Sequence, residues 1–343
     1  MHIHFGTSVS GEKRKLYRHG SFPPTMGYRR SDSQFSGSPG VYWMWDRNIP
    51  DAASFQSPTG QFLENIAVRP SSKLLITSVL SPTLYTFDPT TANATLDEVY
   101  TFPNANCLTG IAEYRPDVYA IVASERNTTL TMEAPGSIVI WSLELTSGGA
   151  PVPRHAARIL QSTHINGLST VPGHLDLVLA ADSILGAAYE VNVRTGAMRI
   201  LIQDAAMALG ALGAPPPALG INGLHVGAGL LYFTNSELET FSHVPLGGGT
   251  VEVLGAGPYD DFTFDGKGRV WVTTNPGALT LFTRLKNGTW EQEIVVGDVV
   301  GSPVLNEPSS AAFGRDRARE TKTLYVTTRM GQIVAVDTSD DHA

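Results

Sequence analysis

Two carboxylates and two side-chain amides each open a short, strongly apolar run: Glu64 before Asn-Ile-Ala-Val, Asn166 before Gly-Leu-Ser-Thr-Val, Asn222 before Gly-Leu-His-Val, and Asp260 before Asp-Phe-Thr-Phe. Carboxylate and amide oxygens are the donors that hard cations select, and two carboxylates offset the charge of one divalent ion. A carboxylate held near a reacting group can also act as general acid or base. Each residue has a plainer reading beside this one. Asn-Gly is the commonest tight-turn dipeptide, and Asp260-Asp261 can cap a strand. Four such donors form a centre only if the elements that carry them bring them together.

Those elements repeat. From Phe62 onward, short β-branched and aromatic runs alternate with Gly, Pro, Asn and Asp turns, the signature of successive short strands. Each unit opens on a small or polar residue, at Glu64, Thr109, Asn166, Asn222, Asp260 and Ser309. The spacing of roughly 40 to 57 residues is that of propeller blades. Six units of about four strands each predict an all-β, six-bladed β-propeller over residues 56–343, closed radially so that few strand edges remain. In that architecture the innermost strands all start at one end of the central channel, so the six openings converge there. Residues 1–55, rich in Ser, Gly, Pro and Arg without sustained periodicity, are expected to form an irregular N-terminal arm anchored by Val41–Trp45. Asp204–Leu212, ahead of Pro215-Pro216-Pro217, is a short helix candidate.

Composition narrows the function classes. With 16% charged residues, 34 Gly and 22 Pro, the chain reads as turn-rich sheet. A net charge of −8 argues against nucleic acid or an anionic membrane as partner, despite the basic cluster Lys13, Arg14, Lys15 and Arg18. No apolar run approaches a membrane span, no signal peptide is visible, and a soluble protein is expected. Sequons at Asn93, Asn127 and Asn287 would accept glycans in a secreted chain. The single cysteine, Cys107, lacks an evident His partner, and no Gly-x-Ser-x-Gly elbow occurs, which disfavours thiol or serine nucleophiles. The Gly247–Gly249 run is followed by no helix and does not read as a phosphate loop. His164, His225 and His243 lie at or near strand starts, where histidines are mostly structural.

Glu64-Asn-Ile-Ala-Val, the two Ile-Asn-Gly-Leu openings, Ala181-Asp-Ser and Tyr259-Asp-Asp-Phe-x-Phe-Asp265 resemble the blade signatures of the senescence-marker-protein/gluconolactonase family, over about residues 60–338. That resemblance implies a divalent cation (Ca, Mg or Zn) held by Glu64, Asn166, Asn222 and Asp260, no organic cofactor, and Asp260 as general base in a lactonase. The sequence departs from the pattern: Tyr259-Asp260-Asp261 stands where Pro-Asp-Gly is usual, and Asn65 rather than Gly-Pro follows Glu64. The wording of the motifs is most similar to fungal members, among which are hetero-Diels–Alderases of specialised metabolism. Three functions follow as expectations. The leading one is non-redox ring formation on a small apolar or oxygenated organic substrate, with Asp260, Asn222 and Asn166 polarising it. Trp43, Trp45, Tyr259, Phe262 and Met330 would roof the apolar pocket or, for the two tryptophans, pin the arm. The alternatives are a metal-dependent lactonase and a non-catalytic binding propeller.

Overall fold

The computed structural model describes residues 42–46, 49–57, 60–127, 132–146, 148–210, 218–315 and 322–339. They form six antiparallel sheets arranged as blades, whose inner strands are Leu63–Val68, Cys107–Arg115, Ile165–Val171, Ile221–Gly227, Tyr259–Phe264 and Pro308–Phe313. Each inner strand packs on that of the next blade, and the sixth packs back on the first. Blades one to five are each a run of four pairing strands. The fold is the six-bladed propeller expected from the repeats.

Burial explains the sequence pattern. Second strands such as Leu74–Ser78 and Val270–Thr274 are buried at every residue, because both faces of a blade press on neighbours. They therefore read as continuous apolar runs rather than alternating ones. Outer strands such as Asp97–Thr101 are largely exposed. The core is six hydrophobic clusters, one at each blade interface.

Two expectations change. Inside the segment read as an irregular arm, Tyr42–Asp46 and Ile49–Gln56 are strands, and the second pairs antiparallel with Gln332–Asp337. The sixth blade thus takes its outer strands from the N-terminal side, a pairing that periodicity along the chain cannot reveal. The basic cluster at Lys13–Arg18 lies outside the described residues. The helix candidate reduces to one 3-10 turn, Ala205–Met207, capped where the Asp204 carboxylate accepts from the Ala206 N–H at 2.8 Å. Residues 211–217 lie outside the described set. Among the described residues no helix is long and apolar enough to cross a membrane.

Candidate functional site

Every inner strand carries a bulge near its start, where the register with the second strand slips: between Leu63 and Ile66, Leu108 and Ile111, Ile165 and Leu168, Ile221 and Leu224, Tyr259 and Phe262, and Pro308 and Ser310. Glu64, Thr109, Asn166, Asn222, Asp260 and Ser309 all lie in these bulges. The Asn-Gly pairs are therefore not hairpin turns. The glycines that follow the openings of blades two and three allow neighbouring blades to touch: a Cβ on Gly110 would lie 2.5 Å from the Asn166 carbonyl oxygen, and one on Gly167 would lie 2.9 Å from that of Asn222.

A ring of hydroxyls stitches the bulges together. Thr77 accepts from the Asn65 N–H at 2.9 Å and donates to the Thr109 carbonyl of the next blade at 2.7 Å. Thr273 does the same between the Asp261 N–H and the Ser309 carbonyl, at 2.9 and 3.3 Å. Thr109 donates to the Ile165 carbonyl and Ser309 to the Leu63 carbonyl, each at 2.7 Å. These two openings are structural, and their hydroxyls are already engaged.

The remaining four openings are buried, between 2% and 6% exposed. Asp260 is the hub of three of them. Its Oδ1 accepts from Asn222 Nδ2 at 2.8 Å, and the same amide nitrogen donates to Ser236 Oγ at 2.7 Å. Its Oδ2 accepts from Arg329 Nη2 at 2.6 Å. Glu64 sits within electrostatic reach of Asp260, Arg329, Arg126 and Asp261, and no side-chain hydrogen bond to its carboxyl occurs among the described residues. Burial, then the charge of Asp260, push Glu64 up to about 8. Burial also raises Asp260, against the pull of Arg329 and Asn222. With two strong donors on Asp260 and none on Glu64, the shared proton resides on Glu64 at neutral pH. Asp260 and Arg329 offset each other's charge. Asn166 occupies the matching bulge, but no hydrogen bond joins it to the other three, and its buried Oδ1 is unpartnered.

Arg329 is the residue that sequence reasoning missed. It lies in the turn after the second strand of the sixth blade, with its guanidinium 5.5 Å from the Phe62 ring centre and its side chain 35% exposed. Ser236 follows the second strand of the fourth blade at the matching position. A signal existed: in a propeller the turn after each second strand faces the same end as the inner-strand starts, so Thr-Thr-Arg329 belonged with the openings.

The proposed pocket roof divides. Tyr259 and Phe262 are 3% and 0% exposed and pack in the cluster between blades four and five, because the residues flanking the bulge point into the blade interface. They do not line the mouth. Met330, beside Arg329, is 47% exposed. Trp43 and Trp45 fall on a described strand, but their side chains lie outside the described residues. Of the histidines, His164 is buried with its Nδ1 2.8 Å from Glu133 Oε2, and His243 pairs with Glu252 on an outer face. His225 Nε2 lies 3.3 Å from Asp261 Oδ1, while Ser310 donates to Asp261 Oδ2 at 2.6 Å. Burial pushes the Cys107 thiol up to about 12, which keeps it an inert core residue. A concavity of about 430 Å³ opens beside Arg126, lined by residues 104–106, 125–127 and Ala134.

The expected metal quartet does not fit a divalent cation as it stands. Both Asp260 oxygens are engaged, Asn222 turns its amide nitrogen toward the carboxylate, and a guanidinium holds the counter-charge. Among the described residues no group of three or more His, Cys, Asp or Glu side chains is arranged to hold a metal ion. Among the described residues Asn166 Oδ1 is buried without a hydrogen-bond partner.

No protein-family profile matches the chain. It is similar to two curated fungal proteins. One is a provisionally named hetero-Diels-Alderase of Phoma sp, 26% identical over 313 residues, covering 81% of this chain and 86% of the relative. The other is the provisionally named hetero-Diels-Alderase asR5 of Sarocladium schorii, 23% identical, covering 86% and 85%. Among solved structures, a luciferin-regenerating enzyme superposes with a TM-score of 0.57 at 13% identity, over 84% of this chain and 96% of that one. Regucalcin of Agrobacterium tumefaciens, a calcium-binding protein, gives 0.54 at 15% identity, over 80% and 90%. The fold is shared with regucalcin-like propellers.

Proposed function

We propose that this chain is an enzyme that closes a ring in a small, apolar, oxygenated substrate by hetero-Diels–Alder cycloaddition at the channel mouth. The observation that carries the reading is the buried Asp260 carboxylate engaged by both Asn222 and Arg329, with Glu64 in the same electrostatic neighbourhood, which offers donors without a free base. It agrees with the names of the two relatives. A cycloaddition between an α,β-unsaturated carbonyl and an alkene forms one C–O and one C–C bond and leaves one new C=C bond. No proton, electron pair or leaving group departs. The protein has only to orient the partners and lower the charge developing on the carbonyl oxygen.

The residues divide that work. Arg329, the most exposed member of the network, donates to the carbonyl oxygen. Asp260, itself held by the Asn222 amide, fixes its guanidinium in place. The protonated Glu64 is a second donor at the neck, and the Asn166 carbonyl is an acceptor for a substrate hydroxyl. Met330 supplies apolar contact. A lactonase would need Asp260 as a free base, and its pairing with Arg329 disfavours that role. A non-catalytic binding propeller is the remaining alternative.

The test is to incubate the protein with an α,β-unsaturated ketone carrying a tethered alkene and to measure the rate and enantiomeric excess of the cycloadduct. A single enantiomer above background is expected. Arg329→Ala should lower the rate by about 10²-fold, the scale of losing one oriented donor. Hydrolysis of simple lactones without cycloaddition would instead establish the lactonase. Binding without turnover of either substrate would leave only a binding propeller.

A further inference from the structure

We infer that Arg329 is a resident cation that occupies the electrostatic place of a divalent metal at the propeller mouth, so that the site is complete without one. The inference rests on the mouth being the functional centre, not on which reaction runs there. Four oxygen-bearing side chains open the inner strands of blades one, three, four and five, the donor chemistry of a hard-cation site. Against the central carboxylate, however, lies a guanidinium at 2.6 Å, brought in by the turn of blade six. Arg cannot be deprotonated at working pH, so its charge is permanent. Asp260 acts on it electrostatically as well as through the hydrogen bond. One guanidinium nitrogen meets one Asp260 oxygen while Asn222 donates to the other, so each carboxylate oxygen already carries a donor where a metal would bind.

The arrangement also explains why this carboxylate tolerates burial at 2% exposure. An unpaired buried carboxylate would take up a proton or recruit a cation. Here the counter-charge is covalently part of the chain. The oxygen-donor set is still visible in Asn166 Oδ1, which is buried without a partner.

The experiment measures metal binding rather than turnover, so its failure and failure of the cycloaddition reading are separable. Wild-type protein, stripped with EDTA, is titrated with CaCl2 and with MnCl2 by calorimetry, and its thermal midpoint is recorded with and without each salt. No saturable binding and no midpoint shift are expected. Arg329→Ala should gain one saturable site, with a midpoint that climbs as cation concentration rises. Arg329→Lys should stay indifferent to both salts, and adding Asp260→Asn to Arg329→Ala should abolish the gained site. If Arg329→Ala folds only when Ca2+ or Mn2+ is present, the inference is equally supported. Saturable binding by the wild type overturns it, and so does an Arg329→Ala protein that gains no site or that neither salt can restore to a folded state.

Discussion

At the scale of single residues, the informative contrast is between Glu64 and Asp260, two buried carboxyls in one electrostatic neighbourhood. Asp260 has an arginine and an amide; Glu64 has neither, and its pKa rises to about 8. A raised folded-state value means that the folded protein binds a proton the unfolded chain releases. Its stabilising contribution is present below the ordinary 4.5 and is lost as pH climbs through about 8. The thermal midpoint of the wild type should therefore fall between about pH 5 and pH 9, a tenfold difference in proton affinity between the two states being worth about 1.4 kcal/mol. Glu64→Gln, neutral at every pH, should flatten that slope; an unchanged slope in the variant would refute the assignment. If Glu64 donates to substrate, turnover should decline over the same rise through about pH 8, measurable as a rate profile on the tethered substrate.

At the scale of elements, the bulges organise the molecule. Each carries one polar residue at its opening and, in blades two to four, one glycine against the next blade. Gly110→Ala would drive a Cβ to 2.5 Å from the Asn166 carbonyl oxygen, where the neighbour is backbone and cannot rotate away. A loss of about 1–3 kcal/mol is expected in urea unfolding, the usual cost of overpacking. Thr77→Val keeps the shape but strands the Asn65 N–H and the Thr109 carbonyl. That should cost about 1–3 kcal/mol by the same measurement, since buried groups left unpaired are penalised. The bulge residues were legible in the sequence because a carboxylate or amide at the head of an apolar run contrasts with the strand residues after it. The role of their glycines was not, because Asn-Gly is locally identical in a hairpin turn and in a blade-to-blade contact. Arg329 was obscured for a related reason: its partner lies 69 residues upstream on a neighbouring blade, and strand periodicity is silent about turns.

At the scale of the whole molecule, six blades were countable because every blade repeats the same burial demand. Closure was not, since Ile49–Gln56 pairs with Gln332–Asp337 across nearly the full length of the polypeptide. Removing residues 1–56 should bare the edge of Gln332–Asp337 and the side of Phe87 that Phe55 covers at 4.9 Å. Self-association, read by light scattering after size exclusion, is the expected outcome, because an uncovered strand edge templates pairing. A monodisperse truncated protein with an unaltered thermal midpoint would show that those strands contribute nothing. The same closure sets a timetable for synthesis. On the ribosome, the strand Ile49–Gln56 emerges early and must wait for a mate translated almost last, and Asp260 is made well before the arginine that neutralises it. A nascent chain halted ahead of Arg329 would carry an uncompensated carboxylate in an open ring, so the finished site and the finished circle arrive together.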